Sequence, residues 1–536
     1  MTEDERFQEL RKIQEILQSG QKEQAYNRLQ RFLRSPITDP YHYYCAATIT
    51  YRIGFHQQTI DLLELSLRGN KNHAESHHLM AHCYLHLDRF AEAEQSILKA
   101  VQLDPDAKPL QLTLGEIYTF SGRYSEAERH YLKLLDDNDD IDILNALAFL
   151  YERSIENEKA LDITEKILDR QPDNLPALRT RCHIYSRTGE YQKAEEILKN
   201  IVHKDPDYAD AWFDLGKLQQ KMKKYPHAFT SFTKANQLAD RREVDPNQAE
   251  EEFNRYLRIL GQIKERRKNL ESYPSSPPVY IVGLPRSGTT LLSNMLDRHT
   301  SLESAGETPI IRDLYTTAKK MLSALHLVDI NSGASISYGA WMDLNDFQIN
   351  ELAEQFQKDI RNHGNSVDQG VAIVDKAPSN ILRLPLIALV SPKSPIIHMI
   401  RDGREASWSN FTQNFTHYHW FSHSLENCMR TWQRNILLAR KCAEVFNLNY
   451  LEIRYEDLVT SPRETLGKIL DFMGLPWEER CLTDYQNSSK PVLTASYEQV
   501  NKPLYTSSLH QARNYPEAYA GMTEIARDLL GELGYL

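Results

Sequence analysis

Nowhere in the 536 residues do 18 apolar residues run together, so the sequence has no stretch suited to a membrane-crossing helix. The opening MTEDERFQELRKIQEIL is charged and amphipathic, without the apolar core of a secretory signal. Cysteine is scarce. The six residues are scattered without metal-ligand spacing, which excludes a zinc framework or a disulfide scaffold. Cys83 and Cys182 fall inside helical patterns, where a small buried residue is expected. A reducing, cytoplasmic setting is the expectation from these features. No long basic block occurs and the net charge is -11, which argues against a general nucleic-acid or anionic-membrane binder. Core material is ample: 41% of residues are hydrophobic, in a chain long enough for two or three domains.

The first half is periodic. Ala25, Ile60, Ala93, Ala127, Ala160, Ala194 and Ala228 recur at steps of 33 to 35 residues. Tyr84, Tyr118, Tyr151 and Tyr185 precede them at matching places. Asp-Pro-Asp (104–106 and 205–207) and Gln-Pro-Asp (171–173) close units. Small residues let paired helices approach, aromatics fill the gaps between units, and proline ends the second helix. This pattern resembles the tetratricopeptide repeat, two antiparallel helices per unit, over roughly residues 6–241. The resemblance implies a superhelix with a concave groove, suited to binding a protein or peptide or to self-association. The tyrosines are expected to be structural.

Beyond Ala228 the repeat fades. Gln248–Asn269 reads as a charged amphipathic helix suited to capping the last repeat. Tyr-Pro-Ser-Ser-Pro-Pro (273–278) then breaks periodicity, because proline cannot continue a helix. The expected organisation is a repeat array at 1–241, a capping helix and linker at 242–274, and a second domain at 275–536. In that domain Val279–Val282, Val371–Val374, Ile396–Ile400 and Tyr450–Ile453 read as buried parallel strands. Helical patterns such as Ser424–Phe446 and Pro462–Met473 alternate with them, giving a parallel sheet covered on both faces. Ligands in such sheets bind beyond the carboxyl ends of the strands.

At the first of these ends stands Gly283-Leu-Pro-Arg-Ser-Gly-Thr-Thr290. Glycine lets the backbone approach an anion, and the following helix offers open N–H groups and a positive dipole end. Ser287, Thr289 and Thr290 add hydroxyl donors, and Arg286 adds a fixed fork of charged donors. A triphosphate-binding loop has lysine after its second glycine; here Thr289 follows Gly288. That suits a single phosphoester bearing a transferable group, without an obligatory metal.

Pro285-Arg-Ser-Gly-Thr-Thr-Leu291 resembles the 5′-phosphosulfate loop of sulfotransferases, nearest to the tyrosylprotein sulfotransferase type. The resemblance implies 3′-phosphoadenosine 5′-phosphosulfate as sulfate donor, held by Arg286, Ser287, Gly288, Thr289 and Thr290. It further implies a 3′-phosphate site at Arg401 and Ser409, which end and follow the strand Ile396–Ile400 with the family's eight-residue spacing. Glu307, 21 residues after Arg286, matches the catalytic base, and Lys376 matches a lysine that stabilises charge on the transferring group. Tyr455 matches a tyrosine that touches the nucleotide. Ser496 and Lys502 fall in a segment similar to the loop that closes over the adenosine. The implied architecture is α plus α/β: an all-α tetratricopeptide superhelix, then a parallel-sheet, P-loop-like sulfotransferase domain. Arg404 is expected to pair with Asp402 or Glu405 on the surface.

The chain departs from that family in places. Gly306-Glu-Thr-Pro309 stands where the tyrosylprotein enzymes carry Glu-Glu-Thr-Arg. Gln413 and Gln511 replace basic nucleotide contacts, with Arg513 close to the second. The acceptor hydroxyl is left open between peptide tyrosine, a saccharide and a small alcohol. His398, His417, His419 and His423 lack a metal-ligand constellation and read as packing or solvent-exposed residues. Two rival readings are a P-loop nucleotide phosphotransferase and a non-catalytic repeat scaffold with a nucleotide-sensing domain. The first needs ATP, magnesium and the missing lysine. The second predicts donor binding without turnover.

Overall fold

The computed structural model describes residues 3–35, 37–87, 89–135, 140–239, 246–262, 277–324, 344–363, 371–415, 421–483, 485 and 507–536. Two compact units divide it, Met1–Met222 and Lys223–Leu536. No helix among the described residues is long and apolar enough to cross a membrane.

In the first unit the described secondary structure is helical throughout, from Glu3–Gln18 to Ala209–Lys221. The periodic small residues are its seams: Ala25, Ala93, Ala127, Ala160 and Ala194 are wholly buried. A Cβ on Gly115 would lie 2.3 Å from the Tyr131 ring, so this seam admits glycine only. The recurrent tyrosines are structural. Tyr84, Tyr118, Tyr151 and Tyr185 each carry a cation over the ring, from Arg89, Arg123, Lys159 and Lys193, at 4.4–5.3 Å. Asp104, Gln171 and Asp205 end their helices one residue before the expected prolines. Cys83 and Cys182 are buried, burial pushes both thiols up to about 12, and no disulfide joins any of the six cysteines.

The second unit is built on five parallel strands: β1 (Val279–Gly283), β2 (Leu302–Gly306), β3 (Ala372–Asp375), β4 (Ile396–Ile400) and β5 (Tyr450–Arg454). Their order is β2-β3-β1-β4-β5. β1 and β4, which have neighbours on both sides, are fully buried and read as apolar runs. β2 was not expected. It is an edge strand, LESAG, with only Leu302 buried, so it shows no apolar run, and its register against β3 shifts between Ser304 and Gly306. Ser424 caps the helix Leu425–Phe446, and Gly474 in the left-handed region ends Pro462–Met473.

Two expectations about the junction need revision. Helix Tyr225–Leu238 carries the repeat residue Ala228 yet groups with the sheet unit, so the division falls before it rather than at 241. The reason is aromatic packing. Phe229 and Phe232 lie against Trp408, Tyr225 lies against Tyr515, and Asn236 Nδ2 donates to the Phe411 carbonyl at 2.9 Å. Helix Pro246–Gln262, expected as a repeat cap, instead buries Tyr256 and Leu260 in the core of the sheet unit. Arg434 clasps its Glu250 at 2.7 Å. Residues 263–269 of the expected helix lie outside the described residues.

His398 is a core residue of β4. Tyr450 has one hydroxyl proton, which it donates to Glu452 Oε1 at 2.9 Å, so His398 Nδ1 donates to the Tyr450 oxygen at 2.6 Å. Arg440 closes the chain with two bonds to Glu452. Burial pushes the imidazole pKa down to about 4. Below the ordinary value near 6.5 the unfolded chain binds a proton that the native imidazole refuses, so this contribution to stability is lost as pH falls from about 6.5 to about 4. The loss amounts to about 3 kcal/mol. His398→Gln lacks that titration. The gap in urea midpoint between wild type and variant is expected to narrow on going from pH 7 to pH 4.5.

Candidate active site

All five strands run parallel, so their carboxyl ends share one edge of the sheet, and each delivers one candidate. β1 leads into the loop at 284–288, β2 to Glu307, β3 to Lys376, β4 to Arg401 and β5 to Tyr455.

The loop after β1 is held in an unusual backbone shape. Arg286 adopts φ +71°, the left-handed region that a side chain rarely occupies. Such strain persists where surroundings impose it, and functional sites are where it collects. Gly288 has φ +95°, and a Cβ there would lie 2.3 Å from the Tyr455 ring. Helix Thr289–Leu296 starts at this glycine with no side-chain cap, and its positive dipole end faces the loop. Ser287 is 1% exposed, and its Oγ has no hydrogen-bond partner among the described residues. A buried hydroxyl, an uncapped helix start and a backbone without room for Cβ form a cradle for an anion.

The second motif is tied directly to this loop. Arg401 Nη1 donates to the Arg286 carbonyl at 3.0 Å, and Arg286 Nε donates to Ser409 Oγ at 3.0 Å. The Arg401 guanidinium lies over the Tyr455 ring, 5.0 Å from its centroid. Arg286, Gly288, Arg401, Ser409 and Tyr455, dispersed over 170 residues of sequence, therefore meet at one place.

Helix Gly403–Phe411 holds the motif in position. Trp432 Nε1 donates to the Arg401 carbonyl at 3.0 Å, and a Cβ on Gly403 would collide with the Trp432 ring. Asn410, which the sequence did not single out, donates from Nδ2 to the Pro285 carbonyl at 2.8 Å and so links this helix to the β1 loop. Glu456, also missed, accepts from the Asp402 backbone N–H and from the Tyr535 hydroxyl, both at 3.0 Å. Asn410 stands in no motif, and Glu456, although inside Arg454-Tyr-Glu-Asp-Leu458, carries no signal of its own beside Tyr455. Arg404 pairs with Asp402 through two bonds, as expected, but inside the protein: it is 4% exposed, covered by Tyr519, and donates to the Tyr535 carbonyl. Glu405 is buried beside it and accepts from the Ala512 backbone N–H; burial pushes its pKa up to about 7.

At the other end of the edge Lys376 Nζ donates to Glu307 Oε1 at 2.7 Å. The lysine side chain is 4% exposed and the glutamate side chain 51%, so the pair presents its carboxylate outward. The Lys376 backbone N–H also donates to the Gly306 carbonyl at 2.8 Å, locking β2 and β3 together just before both side chains.

Ser496, Lys502, His417 and His419 lie outside the described residues. Gln413 is half-buried; Gln511 and Arg513 are exposed on either side of Ala512. His423 Nε2 is hydrogen-bonded to Asn427 Nδ2 at 3.1 Å. No group of three or more His, Cys, Asp or Glu side chains among the described residues is placed to hold a metal ion.

Phosphate cradles and a cation-bound carboxylate at the carboxyl edge of a parallel sheet are features of group-transfer domains with nucleotide ligands. Residues 277–479 match the sulfotransferase family, and residues 74–107, 112–140 and 154–212 match tetratricopeptide repeats. The chain therefore carries a sulfotransferase-family domain behind an array of tetratricopeptide repeats. It is similar to an uncharacterized protein of Aquifex aeolicus, with 29% identity over 60% of this chain and 41% of that protein. It is also similar to protein-tyrosine sulfotransferase A of Caenorhabditis elegans (26%; 49% of this chain, 68% of that one). The protein-tyrosine sulfotransferase of Drosophila melanogaster is 25% identical over 54% of this chain and 57% of its own length. The matches thus span from under half to about two thirds of these relatives. Among solved structures, a tetratricopeptide repeat protein from Parabacteroides merdae aligns with 18% identity, TM-score 0.38, over 46% of this chain and 97% of its own. The sulfotransferase domain of the Synechococcus olefin synthase aligns with 20% identity, TM-score 0.33, over 48% and 98%.

Proposed function

We propose that this protein moves a sulfuryl group from 3′-phosphoadenosine 5′-phosphosulfate to an acceptor hydroxyl. The observation that carries the reading is the bonded path Arg401–Arg286–Ser409, which joins the two phosphate motifs into one site. The β1 loop fits a 5′-phosphosulfate: the buried Ser287 hydroxyl has no hydrogen-bond partner among the described residues, and the helix after Gly288 starts without a side-chain cap. Arg286, Ser287, Gly288, Thr289 and Thr290 would hold that end, with Arg401 and Ser409 at the 3′-phosphate and Tyr455 against the nucleotide. Ser496 and Lys502 would close over the adenosine.

When bound, the donor supplies sulfur activated by a phosphate leaving group. Glu307 takes the acceptor's hydroxyl proton on its outward carboxylate while the new O–S bond forms and the bond from sulfur to the 5′-phosphate oxygen breaks, releasing 3′,5′-phosphoadenosine. Lys376, held by Glu307, places a cation beside the developing charge. Fixing both reactants on one sheet edge lowers the barrier further, by up to about 7–11 kcal/mol where orientation is complete. No metal is required by these residues. The repeat array would serve as the recognition surface for a protein, the acceptor itself or another copy of the chain. Cysteines that form no disulfide suit a reducing compartment such as the cytoplasm.

Peptide tyrosine, saccharide hydroxyls and small alcohols are the candidate acceptors; the similarity to protein-tyrosine sulfotransferases favours the first, and Pro309 in place of the family arginine removes a feature of peptide-sulfating sites. The test is incubation of the purified chain with sulfur-35-labelled donor and members of each class. Label in one class is expected, without added magnesium. Transfer from ATP with magnesium and none from the labelled donor would replace this reading with a phosphotransferase. Donor binding with no transfer to any class would leave a nucleotide-sensing scaffold.

A further inference from the structure

Asp375 has no part in the chemistry above, yet it is 2% exposed at the carboxyl end of β3, next in sequence to Lys376. Its Oδ2 accepts from the Thr308 hydroxyl at 2.9 Å and from Asn380 Nδ2 at 3.1 Å. Thr308 in turn is next in sequence to Glu307. One buried carboxylate therefore joins the residue that follows the proposed base to the residue that precedes the proposed cation. β2 needs such a fastening, because it is an edge strand whose register against β3 shifts just before Glu307. The backbone bond from Lys376 to Gly306 fixes only the strands; the Thr308–Asp375 bond fixes the turn beyond them.

We propose that Asp375 is a positioning residue: through Thr308 it holds the Glu307–Lys376 pair at transfer geometry. This rests on the function proposed above. The surroundings support a role beyond packing. Asp375 Oδ1 and the Tyr280 hydroxyl, buried on registered residues of neighbouring strands, have no hydrogen-bond partner among the described residues. Burial pushes the Asp375 pKa up to about 7, against the Thr308 and Asn380 donors, and the Glu307 charge adds to the rise. An apolar residue of similar size would avoid that cost, so the carboxylate stands there against the stability of the core.

The test compares Thr308→Val, Thr308→Ser and Asp375→Asn in the full chain. A misplacement of about 1 Å costs up to about 100-fold in rate. Thr308→Val is expected to lower kcat about 10- to 100-fold, with the donor KM and 3′,5′-phosphoadenosine affinity within about twofold of wild type. Thr308→Ser restores the hydroxyl and is expected to recover kcat to within about threefold, which a loss of packing alone does not predict. A second readout needs no turnover: the rate at which an amine-reactive acetylating reagent labels Lys376, read by mass spectrometry. That rate is expected to rise several-fold in Thr308→Val and Asp375→Asn and to stay near wild type in Thr308→Ser. Unchanged kcat in the valine and asparagine variants, while wild type transfers sulfuryl normally, overturns the positioning role and leaves the proposed function standing. Equal loss of kcat and nucleotide affinity overturns it too, in favour of a general support of the fold. If wild type transfers nothing, the proposed function fails, and Lys376 labelling alone decides: equal rates in all variants overturn the positioning role.

Discussion

Glu307→Ala is expected to lower kcat by about 10²–10⁴-fold, the usual worth of a positioned general base, while 3′,5′-phosphoadenosine affinity stays within about twofold. The separation follows from geometry. Glu307 is bonded to Lys376, not to Arg286, Arg401 or Ser409, so removing it leaves the phosphate motifs as they are. A second effect has to be kept apart from the first. Lys376 is buried, and without its carboxylate the ammonium loses its partner, costing about 1–2 kcal/mol, at the lower end because the glutamate is half exposed. Glu307→Gln distinguishes the two. The amide oxygen still accepts from Lys376, so the melting temperature should stay near wild type, but the amide cannot take a proton, so turnover should fall as far as in the alanine variant. Steady-state kinetics, calorimetric titration with 3′,5′-phosphoadenosine and a thermal melt supply the three numbers. Retained turnover in Glu307→Gln, or equal loss of turnover and affinity in Glu307→Ala, removes Glu307 from the role of base.

The parts of this fold that could be read in sequence are those where one physical requirement acts on every residue of a segment. β1 and β4 are buried on both faces, and both appear as apolar runs, interrupted in β4 only by His398. Most repeat seams are filled by a small residue, so Ala93, Ala127, Ala160 and Ala194 announce them, with Ile60 the exception at the same place. The edge strand β2 was not legible, because four of its five residues are only partly buried and LESAG carries no pattern. Helix Tyr225–Leu238 misled for the opposite reason. It satisfies the repeat pattern through Ala228 and also carries Phe229 and Phe232, whose partners Trp408 and Phe411 lie far along the chain.

The candidate site divides in the same way. Residues proposed to meet a ligand stand in motifs: Arg286 to Thr290, Glu307, Lys376, Arg401 and Ser409 were all visible, and the structure brings Arg286, Arg401 and Ser409 together. Residues that hold those in place carry no signal of their own, since what they bind is a backbone carbonyl or N–H. Asn410, Glu456 and Asp375 each do this or secure a neighbouring hydroxyl, and any sequence could supply that service from a different position. Arg404 shows the limit most clearly. Its partner, Asp402, was predictable from adjacency, but its burial depends on Tyr519 and Tyr535, more than 110 residues away.

Arg401→Ala is expected to weaken 3′,5′-phosphoadenosine binding about 30- to 700-fold, corresponding to about 2–4 kcal/mol for truncating a buried, hydrogen-bonded charge. The guanidinium is buried at the end of β4, its carbonyl is fixed by Trp432, and it lies over Tyr455, so alanine removes a charge held in place from several sides. Arg401 also donates to the Arg286 carbonyl, and Arg286 sits in a left-handed conformation that needs support. Part of the loss therefore belongs to the β1 loop. Adenosine 5′-phosphosulfate, which lacks the 3′-phosphate, separates the contributions: its affinity reports on the loop alone. The variant is expected to lose about tenfold more affinity for the 3′-phosphorylated nucleotide than for this one. Arg401→Lys keeps a charge but not the planar fork, and should fall between wild type and alanine. The Arg286–Ser409 bond adds a constraint on the same site. A phosphate that takes the Ser409 hydroxyl competes with Arg286 for it, so Ser409→Ala should weaken binding less than Arg401→Ala does. Equal losses for both nucleotides in Arg401→Ala would confine Arg401 to supporting the loop, and wild-type affinity for both would place the 3′-phosphate elsewhere.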